Sequence, residues 1–206
     1  MEAKRIADLL ERIASMEGGL QSDRERRVLG FRFGNPEINV TGIGVAWYLA
    51  MGVIEQSIKQ GLNLLLIHEP MLFYENNAPW HTCLLPETNP VNLRKKQLLI
   101  ENRICVYTAH SNWDLQKSVE MQPTFAKALG LTKEIKRDIA VGVYRVQIMP
   151  FSDLINKVKT AIELKHMRVQ GDRNKLITTI AVGFGGMGLR LMQFWLIMQM
   201  PVFSGK

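Results

Sequence analysis

Short apolar runs alternate with amphipathic stretches along this chain, and that alternation constrains its fold more than any other feature. Leu64–Ile67 is a continuous aliphatic run, which is typical of a strand buried on both faces. Strand patterns lie at 40–46, 64–67, 104–109, 139–147 and 177–184, and helical patterns at 3–16, 49–60, 91–102 and 118–129. Chains that alternate strands and helices form a sheet covered by helices. The sequence therefore predicts an α/β protein, with a three-layer α/β/α arrangement and a mostly parallel central sheet.

A charged stretch at 132–138 interrupts this alternation and indicates a join between two parts of the chain. The length of 206 residues allows one large domain or two small ones. We predict a first α/β lobe at 1–131 and a second α/β lobe at 132–206. The segment 189–206 combines Met, Gln, Phe and Trp without any acidic residue. We therefore expect the second lobe to be incomplete, with an atypical tail.

The composition favours a globular protein of a reducing compartment. The net charge is +7, but the basic cluster 94–96 has no interleaved aromatic residues, so we interpret it as a solvated helix face and do not favour a nucleic-acid partner. Two cysteines cannot form a disulfide framework. The charged N-terminus does not resemble a signal peptide, and no segment reaches the ~18 apolar residues of a membrane helix. We expect a cytoplasmic protein that does not contact membranes.

Two apolar strands are each followed by a histidine and a carboxylate. His68 and Glu69 follow the first strand, and His110 and Asp114 follow the second. Because the carboxyl ends of parallel strands meet at one sheet edge, we expect these four side chains to lie close together. Imidazole and carboxylate donors suit Zn²⁺, Mn²⁺ or Fe²⁺, and carboxylates can bridge two such ions. The alternative is that the two histidines only end their strands in a polar loop.

The order of these motifs resembles the dinuclear metal centre hexameric protein family. That family is also called NGG-interacting-factor-three-like or GTP cyclohydrolase I type 2-like. The matching motifs are Ile67-His68-Glu69-Pro70 and His110-Ser111-Asn112-Trp113-Asp114, flanked by the segments 53–58 and 125–131 and followed by a glycine-rich strand end at 180–186. The resemblance extends in the same order from about residue 5 to residue 188.

The resemblance implies a role for each of the four side chains. His68 corresponds to a metal ligand, Asp114 to a carboxylate that bridges two metals, and His110 to a ligand or a close neighbour of one. Glu69 replaces the usual second histidine of the first motif, and its oxygen would favour harder metals. His110 or Glu69 would carry the proton in catalysis. An intact family member would hold two divalent ions, Zn, Mn or Fe, in each chain.

The resemblance leaves two classes of function open. As an enzyme, the protein would catalyse metal-assisted hydrolysis of a purine nucleotide or a related heterocycle. As a scaffold without catalysis, it would form a ring-shaped homo-oligomer, a hexamer, that docks regulatory partners or nucleic acid. The chain carries no phosphate-binding loop of a recognised type, which argues against tight nucleotide binding. Whether the protein is an enzyme is therefore not decided by its sequence.

The end of the chain departs from the family pattern. Family members close the site with a C-terminal His-x-x-x-Glu, whereas no histidine follows His166 and no acidic residue follows Asp172. One interpretation of the stretch 189–200 is a helix that binds a partner or a lipid surface. The other is truncation by a shifted reading frame. In either case the resemblance implies that at most half of the dinuclear site's protein ligands are present.

Overall fold

A computed structural model describes residues 1–15, 29–69, 88–116, 121–137 and 141–184, together with the backbone of 202–205. The chain divides into two compact units, Met1–Gln116 and Lys117–Lys206. Within the parts of the chain that the structure describes, no helix combines the length and the apolarity needed to cross a membrane.

The first unit contains a four-stranded sheet with strand order β1-β4-β3-β2. Strands β2, β3 and β4 are parallel, and β1 is antiparallel to β4. Its elements are α1 (Ala3–Ile13), β1 (Gly30–Phe33), β2 (Ile43–Ala46), α2 (Met51–Lys59), β3 (Leu64–Ile67), α3 (Pro90–Glu101), β4 (Cys105–Thr108) and the single turn α4 (Ser111–Asp114).

Helices cover both faces of this sheet, because its central strands are apolar on both sides. Helix α1 packs on one face, and α2 and α3 pack on the other. The first face buries Ala3, Ala7, Leu64, Cys105 and Tyr107, and the second buries Ile54, Leu65, Ile67, Leu98, Leu99, Ile104 and Val106. The predicted α/β architecture with a mostly parallel sheet is confirmed in this unit.

The second unit contains another four-stranded sheet, with strand order β5-β6-β7-β8. Its elements are α5 (Met121–Ala128), β5 (Lys133–Arg137), β6 (Val141–Pro150), α6 (Phe151–Ala161), β7 (Leu176–Phe184) and β8 (Val202–Gly205). Only β7 and β8 are parallel among the described pairs of this sheet; the other two pairs are antiparallel. We predicted a lobe boundary after residue 131, whereas α5 packs in this unit, since Ala126, Leu129 and Leu131 belong to its core.

The atypical tail is described only in part. The segment 189–201 and residue 206 lie outside the described residues, as does the glycine-rich segment 185–188. The four residues 202–205 form β8 and pair with the end of β7, in the register Ala181 with Val202 through Phe184 with Gly205. The stretch 189–200, for which one interpretation is a helix, therefore lies outside the described residues.

Gly34 follows β1 at a point where the chain touches the start of β4. Its φ is +82°, and an added Cβ would lie 2.7 Å from the backbone oxygen of Ile104 and 2.9 Å from Cα of Cys105. A side chain here is strained by the positive φ and clashes with backbone that cannot move aside. We expect Gly34→Ala to lower the free energy of unfolding by about 2 kcal/mol or more.

Gly52 provides the matched control for this substitution, because an added Cβ at that position in α2 meets nothing within 4 Å. Gly52→Ala should stabilise the protein by about 0.5–1 kcal/mol, since alanine is the better helix former. Urea denaturation of both variants tests the prediction. Equal midpoints for Gly34→Ala and the unchanged chain would show that the contact at β4 is looser than the structure indicates.

Candidate metal centre

Three of the four predicted site residues come together at the carboxyl edge of the first sheet. His68 follows the last residue of β3, His110 lies two residues beyond β4, and Asp114 is the last residue of α4. One potential ligand atom from each of these side chains lies within 4.8 Å of the others. The convergence expected from two parallel strand ends is therefore present for these three residues.

The distances within this cluster are short. Nε2 of His68 lies 3.4 Å from Oδ2 of Asp114, and the two side chains are 13% and 12% exposed. The rings of His68 and His110 have centroids 4.9 Å apart and are tilted by 48°. The cluster is thus partly withdrawn from water while it keeps an open side.

Asn112 fixes the loop that carries His110. Its Oδ1 accepts a hydrogen bond of 3.0 Å from the His110 backbone N–H, and its Nδ2 donates one of 2.8 Å to the Ala14 carbonyl. The N–H groups of Trp113 and Asp114 donate to the His110 carbonyl at 2.9 and 3.0 Å, which closes the turn of α4. The backbone on both sides of the His110 side chain is therefore held in place by hydrogen bonds.

The other strand end is held by an extension of the parallel ladder. The N–H groups of His68 and Glu69 donate to the carbonyls of Ala46 and Trp47 at 3.2 and 2.8 Å. The Trp47 indole stacks on the His68 ring, with centroids 4.1 Å apart and an interplanar angle of 28°. Trp47 restricts the orientation of His68, and 59% of the tryptophan remains exposed beside the cluster.

The donor set fits a divalent transition metal. Two imidazoles and one carboxylate are the protein ligands of zinc enzymes and of mononuclear iron sites. Donors about 2.1 Å from a tetrahedral ion lie about 3.4 Å apart, which matches the distance between His68 and Asp114. His68, His110 and Asp114 could therefore hold one such ion after small side-chain adjustments.

Glu69 does not belong to this three-residue cluster. Its backbone is placed by the hydrogen bond to Trp47, one residue beyond His68. Its roles as a ligand or a proton carrier stay predictions. Sequence reasoning missed Trp47, although it follows β2 at the same sheet edge, and the argument from strand ends applies to it as well.

These features define an α/β protein with a candidate histidine–carboxylate metal centre at the carboxyl edge of a parallel sheet. The chain belongs to the Duf34/NIF3 (NGG1p interacting factor 3) family, which matches residues 1–197. The family resemblance expected from the two motifs is confirmed.

Two sequence relatives agree with this membership. A GTP cyclohydrolase 1 type 2 homolog of Clostridium perfringens is 30% identical over an alignment of 193 residues, which covers 88% of this chain and 68% of that protein. The homolog of Clostridium acetobutylicum is 28% identical over an alignment of 191 residues, which covers 88% of this chain and 67% of that protein.

Two solved structures share the fold. The Bacillus cereus protein related to NIF3 superposes with a TM-score of 0.76 and 14% identity, covering 100% of this chain and 82% of that one. Reduced HcgD from Methanocaldococcus jannaschii superposes with a TM-score of 0.71 and 22% identity, covering 100% of this chain and 79% of that one.

Proposed function

We propose that this chain binds a divalent metal ion, Zn, Mn or Fe, through His68, His110 and Asp114, and uses it in hydrolysis. The observation that carries the proposal is the convergence of three donor atoms within 4.8 Å at one sheet edge. These three donors support one ion, and the family resemblance implies a second. The metal-to-protein ratio distinguishes the two cases.

The residues of the site have separate tasks in this proposal. His68 and His110 contribute neutral nitrogen donors, and Asp114 contributes the negative charge that favours a cation. Asn112 and Trp47 keep the two imidazoles in place through the contacts described above, as partners behind metal ligands generally do. A bound divalent ion supplies Lewis acidity for attack on the substrate.

We propose a purine nucleotide or a related heterocycle as the substrate. The name of the relatives, GTP cyclohydrolase 1 type 2 homolog, supports this class. The exposed part of the Trp47 indole lies beside the donor cluster, and an indole is a favourable surface on which a planar ring can stack. Glu69, next to His68 and outside the cluster, is the proposed proton carrier.

Metal-dependent turnover tests this function. GTP and related purines are incubated with the full chain at defined Mn²⁺, Zn²⁺ or Fe²⁺, and product is followed by chromatography. We expect turnover that is lost in Asp114→Asn and kept in Asp8→Asn, which removes an exposed carboxylate on α1. A metal-loaded protein without turnover of any of these purines would contradict the hydrolase and support the scaffold.

The family resemblance also supports assembly and location. We propose that the chain forms a homo-oligomer, a hexamer, in the cytoplasm. Native mass spectrometry of the same metal-loaded sample measures this assembly directly. A monomer at micromolar concentration would contradict the oligomer without affecting the metal proposal.

A further inference from the structure

Lys95 is a buried cation without a carboxylate partner. It lies on α3 and is 5% exposed, with Nζ 5.1 Å from the centroid of the Tyr48 ring. Among the described side chains, no carboxylate forms an ion pair with it. Burial lowers the pKa of its ammonium group. Burying a charge without an opposite charge beside it costs free energy. The burial of Lys95 therefore does not stabilise the fold, and a role in binding would explain it.

Thr108 presents a second uncompensated polar group. It is fully buried at the end of β4, and its Oγ1 has no hydrogen-bond partner within the described residues. Buried hydroxyl groups are nearly always hydrogen-bonded, and an exception requires an explanation. A ligand atom that accepts a hydrogen bond from the Thr108 hydroxyl would explain its position.

The connection β3–α3–β4 places Lys95 and Thr108 on the same side of the sheet in the first unit. Because β3 and β4 are parallel, α3 runs antiparallel to them, and its N-terminal half lies toward their carboxyl ends. Leu99 and Val106 belong to one core cluster on this face of the sheet. Lys95 lies about 6 Å along the helix from Leu99, and Thr108 lies about 7 Å along the strand from Val106.

Lys95 therefore lies about one helical turn beyond the core residue Leu99. Thr108 lies level with Ile67, the core residue at the end of β3. Both groups are displaced toward the edge that carries the candidate metal centre. Thr108 shares the face of Val106, because side chains two residues apart in a strand point the same way. Tyr48, which contacts Lys95, follows the carboxyl end of β2. Three elements thus bring polar groups toward the carboxyl ends of the strands.

We propose that Lys95 and Thr108 form a subsite for an oxyanion, a phosphate or carboxylate group of the ligand that reaches the metal centre. This inference rests on the proposed function, since it places the anionic part of that ligand beside the metal. The ammonium group supplies charge and the hydroxyl donates a hydrogen bond, and such charge-assisted bonds are the strong ones. The Tyr48 ring holds the ammonium in position through a cation–π contact.

The test is calorimetric titration of the metal-free full chain with inorganic phosphate and, separately, with acetate. We expect Lys95→Met to weaken phosphate binding by about tenfold or more, because a charge-assisted hydrogen bond is lost. Arg94→Met is the matched control, since it removes an exposed cation from the neighbouring position of α3 and should leave binding unchanged. Thr108→Val should weaken binding by about threefold or more and raise Tm, since it removes an unpartnered buried hydroxyl.

The outcomes separate this inference from the proposed function. If the unchanged chain binds metal but neither anion, the subsite is overturned and the metal proposal stands. If it binds phosphate but no metal, the metal proposal is overturned and the subsite stands. Equal phosphate affinity in Lys95→Met and wild type also overturns the subsite. Where Lys95→Met does not fold, Thr108→Val decides, and unchanged affinity there overturns the proposal. Binding of phosphate without acetate supports a phosphate ligand, and binding of acetate supports a carboxylate.

Discussion

Replacing Asp114 by asparagine is expected to lower the affinity of the chain for Zn²⁺ or Mn²⁺ by about 100-fold or more. Changing a partner behind a metal ligand already costs about 10- to 100-fold, and Asp114 is the one carboxylate in the three-donor cluster. Asparagine keeps the shape of the side chain, so the loss reports the charge and the donor rather than a packing defect. Competition with a chromophoric chelator measures the affinity.

His68→Ala should produce a similar loss, because it removes the imidazole whose Nε2 lies 3.4 Å from Asp114. Asp8→Asn is the control for a general effect of net charge, since Asp8 is exposed on α1. Affinity that stays the same in Asp114→Asn, His68→Ala and the unchanged chain would mean that the metal binds elsewhere. In that case the two histidines only end their strands, which is the alternative that the sequence left open.

The sequence predicts the parallel part of the first sheet because its strands are short runs of apolar residues. Leu64–Ile67 is apolar at every position and is the strand observed. The helices at 3–16, 49–60, 91–102 and 118–129 also exist, with ends displaced by at most three residues. Apolar periodicity is a local signal, and local signals are sufficient for buried elements of regular length.

Three strands, β1, β5 and β8, escape prediction. For β1 and β5 the reason is that tertiary pairing, rather than their own sequence, makes them strands. β1 lies in a polar stretch, yet the Phe31 ring packs edge-on against Tyr107 of β4 with centroids 5.2 Å apart. β5 is Lys133–Arg137 and is exposed at every position, so no apolar pattern marks it. Its partner β6 supplies the ladder, and the preference of the strand residues themselves is a weak signal.

The candidate site shows the same division between local and distant information. His68, His110 and Asp114 could be grouped from sequence, because topology alone places the ends of parallel strands together. Lys95 could not be placed from sequence. The assignment of the basic cluster 94–96 to a solvated helix face is wrong for this residue, because Lys95 is buried. Helical spacing places it on the inner face of α3 with Asn92, Leu98 and Leu99. The position of Lys95 in the helical repeat therefore predicts its burial better than its charge does.

Asn112→Ala is expected to lower the free energy of unfolding by about 3 kcal/mol. The substitution leaves the His110 N–H and the Ala14 carbonyl without the partners they have now, and each unsatisfied buried group costs about 1–3 kcal/mol. Because the His110 backbone is then free to move, metal affinity should fall about 10- to 100-fold as well. Urea denaturation and chelator competition on the same samples measure both effects.

Asn39→Ala is the control, because it removes an exposed side chain in the same unit. It should change neither the free energy of unfolding nor the metal affinity. Stability lost without any change in metal affinity would show that the Asn112 hydrogen bonds serve the fold alone and do not position His110.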